Sequence, residues 1–288
     1  MKIEIILFLV GMNILLVLIA YFYNKRIKVN RIKFQLESIK LSMDLKALVI
    51  NVQQQRGLCY RYKSGDINLS DDIETNYSLI DKHINNLEYK FDVFLNSDSR
   101  WARIRNQWIE IKQGFNEFTL EENFDRYSLY IENLIFLIGN IVHRGQSNVG
   151  ELLSNKEVNI IWENIPNALE AMGKTRAIGS GVASAGICTQ ANKIKLKFLN
   201  DEIIRNYNMV FNQLNKVSNN DTAKISVNIS DVIDGFVMSV RNNLIDPKVP
   251  NIPSDIFFIQ ATEAMDGLSK LFDKMSMLKF REIEKILD

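Results

Sequence analysis

Apolar residues recur at helical spacing along almost the whole chain after residue 31. Leu41, Leu45, Leu48 and Val52 follow one another at intervals of four, three and four residues, which places their side chains on one face of a helix. We predict that this helix spans about residues 31–63 and ends at the polar sequence that follows it. Because a helix with one apolar face must bury that face, the pattern indicates a core built from packed helices.

Polar clusters and capping sequences predict where the later helices begin and end. Thr119–Glu122 and Ser154–Glu157 each place a Glu three residues after a hydroxyl side chain, which is the spacing of a capping box. Ser254 is the predicted N-cap of the last helix. Residues 225–229 alternate between apolar and polar in the manner of a short strand. The predicted interruptions lie at residues 64–66, 96–98, 114–119, 217–230 and 247–253.

The composition favours the same fold class. Glycine (13) and proline (4) are scarce in a chain of 288 residues, whereas turn-rich β folds use both often. No flexible linker or repeat divides the sequence. We therefore predict an all-α, membrane-anchored, up-and-down bundle of long antiparallel helices, in which residues 36–288 form one helical domain.

The predicted membrane anchor is the N-terminal segment. Residues 5–23 carry no charge, and about 20 apolar residues suffice to span a bilayer as a helix. The alternative is a cleaved signal peptide, but the segment ends in aromatic residues instead of the small residues that precede a cleavage site. We assign residues 1–24 to an anchor and residues 25–35 to a basic juxtamembrane segment. Gly11 permits close contact between two such helices, and homodimerisation stays open.

Charges on either side of this segment predict its orientation. Five cations follow it within residues 25–33, and Lys2 precedes it. Cytoplasmic flanks carry an excess of Lys and Arg, so we predict a single-pass protein of the cell inner membrane with a cytoplasmic C-terminal domain. The same cations also suit contact with anionic lipid headgroups.

Several classes of function find no support in the residues. A formal charge of +1 offers no electrostatic reason to expect nucleic-acid binding. Cys59 and Cys188 are too few for a disulfide framework, and His83 and His143 have no metal-ligand spacing with them. No nucleotide-binding or hydrolase motif occurs. We predict a protein that is not an enzyme and that needs neither a metal nor a cofactor.

Two arginines continue apolar helix faces, and their side chains are therefore predicted to point inward. Arg56 lies four residues after Val52, and Arg176 lies four residues after Met172. A guanidinium group stays protonated in proteins, and an unpaired buried ion costs several kcal/mol, so each arginine requires an anion. Core-edge acids such as Asp44 or Glu170 are one source, and a bound anion is the other.

A third arginine, Arg241, lies on the face that Ile233, Val237 and Leu244 define. It is the weakest of the three candidates, because a single arginine on such a face commonly forms a salt bridge. We include it with Arg56 and Arg176 as a predicted ligand-binding residue.

Three sequence segments resemble those of the nitrate- and nitrite-sensing (NIT-type) sensor domains. The run Q-Q-Q-R-G-L at residues 53–58 is followed by Ser64-Gly65-Asp66. Residues 170–179 read E-x-x-G-x-x-R-x-x-G, and residues 257–266 contain an aromatic pair followed by A-T-x-A-x-D. The resemblance implies a helical bundle that binds nitrate or nitrite between helices through Arg56 and Arg176. Arg241 matches no motif of the family.

No output module follows the sensor-like sequence, so signalling would require a separate partner protein. Our first hypothesis is an anchored sensor of nitrate or nitrite that signals by helix repacking. The alternative is a non-catalytic scaffold or interaction module whose arginines are paired internally.

Overall fold

The computed structural model describes residues 2–65, 67–96, 98–147, 153–214 and 220–287, with side chains at all of these positions except 2–8, 10, 147, 213–214 and 220–228. Within these ranges the regular elements are all helices and there is no strand, which confirms the all-α part of the predicted fold class. Its helices are α1 (Lys2–Lys63), α2 (Ser70–Lys90), α3 (Asp92–Leu95), α4 (Ser99–Gln113), α5 (Leu120–Ser147), α6 (Asn155–Asn159), α7 (Ile165–Ala185), α8 (Gln190–Leu214), α9 (Asn220–Val240) and α10 (Ser254–Glu284).

The first helix ends where the sequence predicts and begins much earlier. It stops at Lys63, and Gly65 follows with a φ of 114°, a left-handed value that glycine adopts without a steric penalty. At its other end the helix continues without interruption back to Lys2. The predicted anchor is therefore an extension of the same helix that enters the bundle.

The membrane anchor itself is not supported. Within the described part of the chain, no helix is both long and apolar enough to cross a membrane. Five positions of the predicted span, residues 5–8 and 10, have side chains outside the described set. The apolar side chains that are described along this part of α1, Leu15, Val17 and Phe22 among them, are exposed.

Both predicted capping boxes are present. The Thr119 backbone N–H donates to Glu122 Oε2 at 2.9 Å and the Glu122 N–H donates to Thr119 Oγ1 at 3.2 Å. Ser154 and Glu157 cap α6 in the same reciprocal way. The prediction for Ser254 is wrong: Pro253 is the N-cap, and the Ser254 hydroxyl donates to the Ser180 carbonyl at 2.9 Å.

Two interruptions differ from the predicted pattern. The alternating residues 225–229 lie within α9, so the short strand is not formed. Asn220–Val240 is helical, and the predicted polar break at 217–230 is therefore shorter than expected, with residues 215–219 outside the described ranges. Two π-helical segments, Ile160–Asn164 before α7 and Arg241–Ile245 after α9, continue the helices that they adjoin.

Helix α1 is central to the bundle. It packs against α2 and α5 on one side and against α7 and α10 on the other, while α7 also packs against α8. Helices α1 and α10 run antiparallel, because Lys46 contacts Asp273 whereas Lys40 lies over the ring of Phe280. Any side chain on the α1 face toward α7 and α10 therefore lies between three helices, and Gln53, Gly57 and Arg61 lie on that face.

Candidate functional site

Arg56 is fully inside the bundle and is already neutralised. Its side chain is 1% exposed, and both Nη atoms bond the carboxylate of Glu170, with Nη2 at 3.1 Å from Oε2. Nη1 also donates to the Ser128 hydroxyl at 2.9 Å, and the guanidinium carbon lies 5.1 Å from the Phe124 ring centroid. The predicted inward orientation is confirmed, and the anion is one of the two acids that the sequence offered.

Gln53 of α1 also bonds the carboxylate of this ion pair. Its Nε2 donates to Glu170 Oε2 at 2.9 Å, whereas its Oε1 is buried and has no hydrogen-bond partner among the described residues. Gly173 makes this arrangement fit, because a Cβ there would lie 3.0 Å from Arg56 Nη2 and 3.3 Å from Gln53 Nε2. The pair is therefore enclosed on the α7 side.

Arg176 is half-buried one helix face away, and no carboxylate of the described residues forms an ion pair with it. Its Nη1 donates to the Thr262 hydroxyl at 3.1 Å, and its guanidinium carbon lies 4.9 Å from the Phe258 ring centroid. Burial and then the charge of Arg56 lower the pKa of Arg176 to about 10, against the opposing effects of Asp266 and Glu170. The group remains charged at neutral pH and has unused N–H donors.

Arg241 does not belong to this site. Its side chain is 71% exposed and pairs with Asp246 Oδ2 at 3.4 Å. The buried face of α9 continues from Ile233 through Val240 to Leu244, so Arg241 lies beside that face and not on it. Val237, on which its predicted position rested, is itself only partly buried, so that position lies at the edge of the buried face. The salt bridge with Asp246 is the contact expected of a single arginine there.

Two cavities, of about 340 and 850 Å³, open against Arg176. Both are lined by Gln53 and Gly57 of α1, Arg176 of α7 and Phe258 of α10. The smaller continues along α1 and α10, and the larger continues toward the C-terminal end of α7. An atom added at the Cβ position of Gly57 would meet nothing within 4 Å, so this glycine faces open space.

The charges around the cavities leave an excess of positive charge. Two guanidinium groups, those of Arg56 and Arg176, influence each other, and one buried carboxylate, Glu170, bonds the first of them. Asp266 lines the smaller cavity as an exposed side chain outside ion-pair distance of Arg176. A monovalent anion at Arg176 would balance the remaining charge in a partly desolvated place, where such pairs are stronger than at the surface.

The groups that could serve catalysis are held in structural contacts. The Cys59 thiol lies 3.6 Å from the Tyr127 hydroxyl and 3.5 Å from Gln55 Nε2, and burial raises its pKa to about 11. The ring of His83 contacts the Asn51 amide at 3.2 Å. No cluster of three metal-ligating side chains occurs among the described residues. The absence of enzymatic activity stays a prediction.

Sequence reasoning identified the two arginines and missed most of their partners. Glu170 was one of the two predicted counter-ions. Gln53 and Thr262 lie in the segments that resemble NIT-type domains. Ser128, which binds Arg56 from α5, had no such signal. Its distance of 72 residues in the chain hides the contact until the helices are packed.

Comparison with known proteins adds a shared fold. No family model matches the sequence. No curated protein matches it. The solved structure of the NasR transcription antiterminator superimposes with a TM-score of 0.69 at 14% identity, over 94% of this chain and 75% of that chain. At this identity the likeness shows the fold alone: this chain shares the helical architecture of that structure.

Proposed function

We propose that the protein is a non-enzymatic sensor module that binds nitrate or nitrite at Arg176, between α1, α7 and α10. The observation that carries the proposal is a half-buried guanidinium that faces two cavities without a carboxylate partner. Three motifs similar to NIT-type domains support the choice of anion, and a regulatory protein with the same fold supports a role in signalling. The proposal assigns Arg56 to the support of the site, because Glu170 occupies it.

Nitrate suits this position for physical reasons. It is planar, so the guanidinium fork can donate to two of its oxygens at once. It carries a single charge, which matches the charge that Glu170 leaves uncompensated. The neighbouring donors are already used, because the Gln53 amide donates to Glu170 and Leu169. The Thr262 hydroxyl donates to the Phe258 carbonyl. The N–H groups of Arg176 are therefore the donors that nitrate would meet.

The anion would lie in the gap between α1 and α10 beside Arg176. Arg176 reaches α10 through Thr262, while Gln53 and Gly57 form the α1 wall of the gap. Binding would favour a packing in which α1 and α10 are closer, and a difference in affinity between two packings shifts their populations. We propose that a separate partner protein reads that change.

The experiment is thermal unfolding of the purified full chain in mild detergent, with sodium nitrate against sodium chloride at equal ionic strength. Nitrate at 100 times its Kd should stabilise the fold by about 2.7 kcal/mol. Arg176→Met should abolish the nitrate-specific increase in Tm. Arg241→Met is the matched control, since it removes an arginine that is exposed and paired, and it should keep the increase.

A nitrate effect that is absent from the wild-type protein, or that survives Arg176→Met, would contradict the proposal. The second candidate, a scaffold with internally paired arginines, is favoured by the Arg56–Glu170 pair. It predicts no anion-specific change in Tm in any variant.

We also propose that residues 5–23 anchor the module in the inner membrane with the bundle on the cytoplasmic side. The uncharged sequence and the exposed apolar side chains along this part of α1 support the anchor. Fractionation of cells that express the chain with and without residues 1–24 tests it: an equal amount of both proteins in the membrane fraction would count against the anchor.

A further inference from the structure

The larger cavity has more volume than an inorganic oxyanion would fill. Its volume of about 850 Å³ lies within the range of about 300–1,000 Å³ that is typical of sites for organic ligands. Nitrate at Arg176 would occupy only one end. The remainder extends along the C-terminal half of α7, where small residues line the wall: Gly173, Ala177, Ser180, Gly181, Ser184 and Ala185.

Exposed apolar side chains beside Arg176 form a surface on which a planar group can stack. The Phe258 ring lies against the guanidinium group and is still 39% exposed. Ile259 and Ile187, at 51% and 67% exposure, line the same cavity. Aromatic and guanidinium faces both favour stacking with a flat partner. The wall next to the anion position is therefore suited to an aromatic ring.

Two polar atoms in the wall have no hydrogen-bond partner among the described residues. Gln53, which is 2% exposed, lines both cavities, and its Oε1 is one of these atoms. The Ser180 hydroxyl, one helical turn beyond Arg176, is the other. Both atoms are covered by their neighbours, so a ligand would bond them only after their side chains turn toward the cavity. The Ser180 hydroxyl would then donate to a carboxylate, whereas the Gln53 oxygen accepts only.

The acids at the rim limit the charge of that ligand. Asp255 lines the larger cavity and Asp266 the smaller, and both side chains are exposed. Two arginines line the larger cavity, the half-buried Arg176 and the exposed Arg61. A second negative charge on the ligand would face these carboxylates, with only the charge of Arg61, which water screens, to offset them. A monoanion is thus favoured over a dianion.

We infer that the cleft binds an aromatic monocarboxylate, with its carboxylate on Arg176 and its ring between Phe258 and the Ser180 wall of α7. The inference rests on the anion site proposed above and extends it from nitrate to an organic ligand that competes for the same arginine. A ring substituent with a hydroxyl group could reach the serine side chains of the outer wall.

The test is calorimetric titration of the full chain with benzoate, acetate and benzamide, repeated with nitrate added to the protein solution in the calorimeter. Benzoate should bind at least about tenfold more tightly than acetate, because its ring removes apolar surface from water. Benzamide, which keeps the shape and lacks the charge, should bind at least about tenfold more weakly than benzoate. Nitrate should raise the apparent Kd of benzoate.

The variant Ser180→Leu fills the ring position and leaves Arg176 in place. It should raise the Kd of benzoate by about tenfold and change the Kd of nitrate by less than about twofold. Ser184→Leu, one turn further out, is the control and should affect benzoate less. Benzoate binding no tighter than acetate in the wild-type protein, or unaffected by Ser180→Leu, would overturn the inference.

Failure of the two proposals can be told apart. Nitrate binding without a preference for benzoate over acetate refutes the aromatic ligand and leaves the nitrate sensor intact. Benzoate binding without nitrate binding refutes the nitrate sensor and supports the aromatic ligand. Loss of both refutes the anion site at Arg176.

Discussion

Arg56 and Arg176 have similar sequence neighbours and opposite environments. Each stacks on an aromatic ring and donates to one hydroxyl group of another helix. Arg56 also has a buried carboxylate, whereas Arg176 has a cavity in the place where a carboxylate would be. An inward-facing arginine is therefore a candidate ligand site only where no carboxylate of the protein pairs with it.

The two positions also differ in what surrounds them. Around Arg56, helices α1, α5 and α7 meet closely, and the Cys59 thiol and the Tyr127 hydroxyl beside it are buried. Around Arg176, α7 packs closely on α10, and small residues such as Gly57, Gly173 and Ser180 leave an open space beside the guanidinium group. One side of α1 is therefore a structural core, and the other is a cleft that a small molecule could enter.

Removal of the counter-ion should give the largest effect. Glu170→Ala leaves Arg56 charged and buried, and breaking one partner of a buried pair costs about 3–5 kcal/mol. Asp266→Ala, the matched change near Arg176, removes an exposed acid and should cost less than about 1 kcal/mol. Urea unfolding measures both, and equal losses of stability would remove the distinction between the two arginines.

Alkaline unfolding tests whether the Arg56 side of α1 is closed. Burial raises the pKa of Cys59 from 9.0 to about 11. Between these values the unfolded chain releases the thiol proton while the folded chain retains it, so stability should fall as the pH rises through this window. The loss attributable to Cys59 should reach about 3 kcal/mol above pH 11.

Cys59→Ala should therefore reduce the dependence of unfolding free energy on pH between 9 and 11, relative to the wild-type protein. The other cysteine, Cys188, is the control: burial also raises its pKa, and it lies in the segment between α7 and α8 and not on α1. An unchanged pH dependence in Cys59→Ala would show that water reaches the thiol.

Two glycines beside the arginines should respond in opposite directions, with the smallest effects. Gly57→Ala places a methyl group in open space and should stabilise α1 by about 0.5–1 kcal/mol through helix propensity. Gly173→Ala places its methyl group 3.0 Å from Arg56 Nη2 and should destabilise the fold by about 1 kcal/mol or more. Thermal unfolding of both variants suffices, and stabilisation by Gly173→Ala would show that the ion pair is loosely held.

Much of the fold followed from local rules. The end of α1 at Lys63, the breaks before Ser99 and Leu120, and both capping boxes depend on residues within a few positions of one another. The strand expected at 225–229 failed because a short alternation also fits a helix, and α9 continues through it. The N-cap assigned to Ser254 failed because the preceding proline takes that position.

Periodicity along single helices is enough to predict that the chain forms long helices and that Arg56 and Arg176 lie on buried or half-buried faces. The packing of the helices sets which arginine Glu170 neutralises, that Arg241 remains in solvent, and that a cleft opens at Arg176. Those outcomes depend on distances between helices that are far apart in the chain, and periodicity along a single helix carries no information about them.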